Sequence, residues 1–186
     1  MDSVITSNTV IFFDLDGTLV DTDTANFLAY KAAIFEIVNI KIEDIYEERI
    51  NRTLLKKILT NTSEELISEI VLHKEKKYSE YLSYTNLINK NHSQLVKYSN
   101  TNKIYLVTNC RKGRAIQLLE YHQITNYFTD FIFREEVNLN NYINKYSLAI
   151  QKLDINKNHV LIFENEIIEI NKALKIGINK NQIIKT

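Results

Sequence analysis

Two aspartates one residue apart, Asp14 and Asp16, stand where a short apolar run, Val10 to Phe13, gives way to the turn residue Gly17. A buried strand that ends in such a turn releases both carboxylates on the same side of an extended backbone. Carboxylates placed this way repel each other until a proton or a cation comes between them, and a hard divalent ion suits them. The pair permits displacement at phosphorus. Asp14 would be the nucleophile that takes up a phosphoryl group, Asp16 would serve as acid and then as base, and Mg²⁺ would offset the repulsion between carboxylate and phosphate.

The octet Asp14-Leu15-Asp16-Gly17-Thr18-Leu19-Val20-Asp21 resembles the first signature motif of the haloacid dehalogenase superfamily, in the phosphoglycolate phosphatase and β-phosphoglucomutase-like group. The dehalogenating members lack the second aspartate, so within the resemblance Asp16 implies phosphate chemistry. Thr108-Asn109, after the run Ile104 to Val107, is similar to the second motif. There the resemblance implies that the Thr108 hydroxyl and N–H groups near Asn109 and Gly17 grip the phosphoryl oxygens. Asn109 is also a candidate cap for a helix that begins near Arg111.

For the family's lysine, Lys145 in Asn144-Lys145-Tyr146-Ser147 fits, and the resemblance gives it a catalytic and phosphate-binding role. Relatives with this type of cap carry Lys-Pro several residues earlier, where this chain has Asn140 or Asn141 and no proline. Glu164-Asn165-Glu166-Ile167-Ile168-Glu169 resembles the acidic motif that binds Mg²⁺. Asn165 stands where an aspartate usually coordinates the metal; its amide offers a carbonyl oxygen without formal charge and predicts weaker binding. Glu164, beside it, is expected to compensate directly or through water, while Glu169 is expected to anchor neighbouring groups or cap the helix.

These residues need a scaffold, and the apolar runs supply its strands. Val10 to Phe13, Ile104 to Val107, Phe131 to Phe133, Val160 to Phe163 and, more weakly, Gln182 to Lys185 alternate with helical stretches over Arg111 to Tyr121, Tyr146 to Leu153 and Ile167 to Ile176, the last closed by Gly177. Alternation of this kind predicts an α/β fold, a three-layer Rossmann-like parallel sheet with helices on both faces. Residues 14 to 103 contain no convincing strand and are too long for a simple crossover. Helical periodicity over Thr24 to Val38, Ile42 to Leu59 and Ser63 to Tyr84 predicts an inserted helical cap at residues 20–88, with a core domain at 1–19 and 89–186 and a returning helix at His92 to Ser99. Asp21, Thr22 and Asp23 would lie at the hinge, and Arg49, Arg52, Lys76 and Lys77 are cap residues that could face an anionic substrate.

Composition limits the partners. Twenty-three Lys+Arg balance 23 Asp+Glu, which gives no general attraction for nucleic acid or an anionic membrane. The single cysteine, Cys110, and the lack of a leader-like N-terminal run predict a cytoplasmic protein, a monomer or weak homodimer acting on a small phosphorylated metabolite. His73, His92, His122 and His159 show no zinc-ligand spacing. Two further readings stay open: a sugar phosphomutase, and a degenerate relative that binds a phosphorylated ligand or a protein partner with little turnover. A receiver-like signalling domain is opposed by the long insertion and by the Asp-x-Asp-Gly-Thr order.

Overall fold

The computed structural model describes residues 5–42, 50, 52–60, 62–139 and 144–186, with residues 137–139 described by backbone alone. The chain divides into two compact units, one formed by residues 1–21 and 87–186, the other by residues 22–86.

In the first unit, β1 (Val10–Phe13) opens the sheet. The two-residue strands β2 (Val20–Asp21) and β3 (Asn86–Leu87) form a separate two-stranded sheet in the stretch where the sequence predicts no strand; strands this short leave no periodicity to read. The helical unit that they bracket holds α1 (Asp23–Val38), α2 (Arg52–Ile58) and α3 (Glu64–Lys77), which runs on into a 3₁₀ segment at Tyr78–Tyr84. The helix predicted over Ile42 to Leu59 is therefore seen only as α2, because residues 43–49 and 51, Arg49 among them, lie outside the described residues. Ser63 caps α3 by accepting the Leu66 N–H at 3.2 Å. Ala33, Ile34, Leu55, Ile67 and Ile70 form the unit's own apolar core.

The first unit then continues through α4 (Asn89–Ser99), β4 (Ile104–Val107), α5 (Lys112–Tyr121), β5 (Asp130–Ile132) and α6 (Arg134–Leu139), a short helix without a predicted counterpart. It closes with α7 (Lys145–Lys152), β6 (Val160–Glu164), α8 (Ile167–Lys175) and β7 (Ile183–Lys185). Gly177, at φ 88°, ends α8 in the left-handed conformation that glycine adopts without strain.

The five-stranded sheet has the order β5-β4-β1-β6-β7, and its four described pairings are all parallel. Burial on both faces explains why its central strands read as unbroken apolar runs. Alternate residues of these strands, Phe12, Tyr105, Val107, Ile132, Val160 and Ile162, join Leu148 and Ala149 of α7 and Ala173 of α8 in one core cluster. The chain builds outward from β1 first through β4 to β5 and later through β6 to β7, so the strand order reverses beside β1. At such a reversal the crevice beyond the carboxyl ends of the strands is the place for a ligand. Among the described residues no helix is long and apolar enough to cross a membrane.

Candidate active site

Register decides which residues meet at that crevice. Phe13 lies opposite Leu106 on one side and Phe163 on the other, so Asp14, Thr108 and Glu164 emerge at the ends of three adjacent strands. Asp14 still belongs to the sheet through its N–H, which donates to the Phe163 carbonyl at 3.1 Å. The turn after it is knotted around one acceptor, the Leu15 carbonyl, which receives the N–H groups of Thr18, Leu19 and Val20 at 3.2, 2.9 and 3.0 Å. Asn91 of α4 braces the same turn by donating its side-chain amide to the Thr18 carbonyl at 2.7 Å.

Gly17 is required in this turn for two reasons. Its φ of 74° is one that residues with a Cβ rarely adopt, and a Cβ placed there would come within 2.4 Å of Asn165 Nδ2. The Asn165 amide is thus packed against Gly17, and its Oδ1 accepts the Thr18 hydroxyl at 3.1 Å. The first and fourth sequence motifs are joined through this amide.

Lys145 is the electrostatic centre of the site. Asn144 sets its direction: the Asn144 side chain accepts the Ser147 N–H at 2.9 Å, the Ser147 hydroxyl accepts the Asn144 N–H at 3.3 Å, and this capping box fixes Lys145 as the first residue of α7. A first-turn lysine is often solvated, but this one is 2 % exposed. Its ammonium lies 2.6 Å from Asp14 Oδ1 and 2.7 Å from Glu164 Oε2. One positive charge between two buried carboxylates cannot neutralise both. Glu164 is further stabilised by the Tyr146 hydroxyl at 2.6 Å on Oε2 and by the N–H groups of Asn165 and Glu166, each at 3.0 Å, on Oε1. The excess falls on Asp14, whose pKa is raised to about 7 by burial and by the Glu164 and Asp16 charges, against the pull of Lys145. Burial alone would lower the Lys145 pKa, but Asp14 and Glu164 more than offset it and hold the ammonium charged. Tyr146 is held neutral by burial and by the carboxylates around it.

Asp16, 8 % exposed, faces a second cation that sequence reasoning missed. Arg114, near the start of α5, donates from Nη2 to Asp16 Oδ2 at 3.1 Å. Thr108 is buried, and its hydroxyl oxygen accepts the Cys110 N–H at 3.0 Å. Asn109 is exposed and does not cap α5: the helix starts at Lys112 with no side-chain cap from its N-cap residue Arg111, and the Glu135 carboxylate receives the Lys112 N–H at 3.0 Å instead. Glu169 is buried in α8 and pairs with Lys172 at 2.7 Å.

The donors available to a divalent cation follow from this arrangement. Glu164, expected beside the metal, has both oxygens occupied by protein donors, two on each. Among the described residues no group of three or more His, Cys, Asp and Glu side chains is arranged to hold a metal ion. Asp14, Asp16 and the Asn165 amide oxygen remain, a hard-oxygen set of reduced charge. Such a set fits Mg²⁺, which needs only one or two carboxylates and keeps several waters.

A parallel α/β sheet bearing two aspartates at the end of its first strand, facing a buried lysine, defines a class of hydrolases. The family described as haloacid dehalogenase-like hydrolase matches residues 11–182, and the chain belongs to it. No curated protein matches the sequence. Among solved structures, a protein from Clostridium difficile assigned as a phosphatase is 21% identical, with a TM-score of 0.73 over 95% of this chain and 84% of that one. One from Lactobacillus plantarum assigned as a phosphoglycolate phosphatase is 11% identical, with a TM-score of 0.71 over 89% and 81%. One from Thermotoga maritima assigned as a β-phosphoglucomutase is 21% identical, with a TM-score of 0.66 over 95% and 84%. At these identities the likeness is one of fold.

Proposed function

We propose that the protein is a Mg²⁺-dependent phosphatase that hydrolyses a small phosphorylated metabolite through an aspartyl-phosphate. The observation that carries this reading is the buried Asp14 carboxylate, held by Lys145 at 2.6 Å, two residues from a second carboxylate. With Oδ1 engaged by Lys145, Oδ2 is the oxygen placed to attack. Its bond to phosphorus forms as the bond from phosphorus to the leaving oxygen breaks, and Asp16 gives that oxygen a proton. Asp16 then takes a proton from water, the water oxygen attacks phosphorus, and the bond to Asp14 breaks to release phosphate. The Thr108 hydroxyl orients the phosphoryl oxygens and Lys145 stays charged against them, whereas the N–H groups of Gly17 to Val20 are taken by carbonyls of the turn itself. Asp14, Asp16 and Asn165 would hold Mg²⁺, which offsets the charge of carboxylate and phosphate when bound.

The test is a panel of phosphorylated metabolites assayed with and without Mg²⁺, parent against Asp14→Asn. We expect hydrolysis of at least one member to fall by about a thousandfold or more in the variant. Undiminished turnover in Asp14→Asn would show that the nucleophile is misassigned. A second reading, a sugar phosphomutase, draws on the likeness to the Thermotoga protein and predicts that labelled phosphate stays within one sugar. A third follows from Asn165: a weakly active binder would show no turnover even with Mg²⁺ in excess.

A further inference from the structure

Glu164 is the carboxylate next to the neutral Asn165, and four donors of the protein converge on it. The Lys145 ammonium at 2.7 Å and the Tyr146 hydroxyl at 2.6 Å share Oε2, while the N–H groups of Asn165 and Glu166, each at 3.0 Å, share Oε1. We propose that the Tyr146 hydroxyl reserves Glu164 for Lys145 and so withholds it from the divalent cation that Asp14, Asp16 and Asn165 would hold. This inference rests on the Mg²⁺ reading of the site for its chemistry and on the contacts of Glu164 with Lys145 and Tyr146 for its geometry.

An ionised carboxylate offers about four lone-pair positions on its two oxygens. On Glu164, which is fully buried, protein donors fill them. The phenol is the one that decides where the carboxylate stays. The two N–H donors belong to the turn that follows Glu164 and travel with it, and the Lys145 ammonium sits on a flexible stem that Asp14 shares. Tyr146 cannot follow in this way. Its ring is fully buried in the core cluster and lies parallel to Phe12, with centroids 6.4 Å apart. Helix α7 is fixed as well, by the capping box at Asn144 and by the Asn144 amide, which donates to the Lys172 carbonyl of α8 at 3.3 Å. A phenol bond of 2.6 Å to a carboxylate is of the strong, charge-assisted kind. Loss of the hydroxyl opens one position on Oε2 of a buried anion. Asp14 touches the same ammonium, so the opened oxygen stands beside an acid that would hold the cation.

Calorimetry of Mg²⁺ binding tests the proposal without recourse to turnover. In Tyr146→Phe, which keeps the ring and its stack on Phe12, Mg²⁺ should bind about three- to tenfold more tightly than in the parent, because a further carboxylate joins the hard-oxygen set. In a Glu164→Gln background the same substitution should change the affinity by less than about twofold. A tyrosine that served only the fold would, when truncated, leave the affinity unchanged or weaken it, and either result overturns the proposal. So does a gain that persists in the Glu164→Gln background. If Tyr146→Phe does not fold, a crystal structure of the parent grown with Mg²⁺ decides: Glu164 should keep its bonds to Tyr146 and Lys145, and a bond from Glu164 to the metal overturns the proposal. Binding by Tyr146→Phe but not by the parent would support the proposal and sink the Mg²⁺-dependent reading; binding by neither overturns both.

Discussion

Carboxylates meet ammonium groups in both units of this protein, with opposite results. In the helical unit Glu36 pairs with Lys77 and His73, and Glu64 with Arg52 and Lys56, all at the surface. Hydrogen bonds from Lys77 and His73 lower the Glu36 pKa, and those from Lys56 and Arg52 lower that of Glu64. In the core unit Asp14 has a lysine just as near, and its pKa is nevertheless raised to about 7, by burial and by the neighbouring carboxylates. Water separates the two cases. A solvated pair keeps its hydration and gains a partner, whereas a buried acid loses its hydration and shares a single cation with a second acid.

The contrast breaks most visibly if the buried cation is removed. Lys145→Met leaves Asp14 and Glu164 buried without their common partner, and should lower the unfolding free energy by about 3–5 kcal/mol with loss of activity. Lys77→Met, at the surface, should leave urea unfolding curves unchanged within error. If Lys145→Met unfolds like the parent, the buried pair is not what holds this end of the sheet.

A titration sharpens the comparison by sign. The folded pKa of Asp14, about 7, lies above its ordinary value of 3.8, so between those values the folded state binds more protons than the unfolded one. Unfolding free energy, measured with a chelator present, should therefore decrease as pH rises across that window, by at most on the order of 4 kcal/mol. Asp14→Asn should abolish the slope. Glu36 and Glu64 act the other way, since their lowered values give stability that is present above about pH 4.5 and is lost on acidification. A profile that does not fall between pH 4 and pH 7 in the parent would contradict the burial argument at Asp14.

The smallest effect concerns the neutral amide in this otherwise acidic site. Asn165→Asp adds a formal charge to the hard-oxygen set, and calorimetry should show Mg²⁺ binding tightened by about tenfold. The Thr18 hydroxyl can still donate to the new carboxylate, so the turn should hold. Unchanged affinity would place the metal away from residue 165.

How much of this was legible in the sequence depends on whether a residue acts through a periodic or a positional signal. The strands were legible because burial on both faces forces unbroken apolar runs, and Asp14 was legible because it ends one of them. Lys145 was placed by its resemblance to the family pattern, although Asn144 and Ser147 spell a capping box that points to the same residue as the start of α7. Arg114 was missed because one arginine among 23 basic residues carries no pattern, and its partner lies 98 positions away. The Tyr146 ring stacks with Phe12, but the hydroxyl that binds Glu164 has no sequence signature. Helix α6 was missed because six residues are too few to display a period.

In the proposed mechanism, the sharing of one ammonium by Asp14 and Glu164 would bear on the stage at which a phosphoryl group is attached. An aspartyl-phosphate would carry its negative charge on the phosphoryl oxygens and no longer on the residue 14 carboxylate. Glu164 would meanwhile remain a standing counter-ion to the same ammonium, locked in place by Tyr146 and two backbone donors. Through the proposed covalent stage the ammonium would thus keep an anion on either hand, free to turn toward the newly attached oxygens while still moored to Glu164.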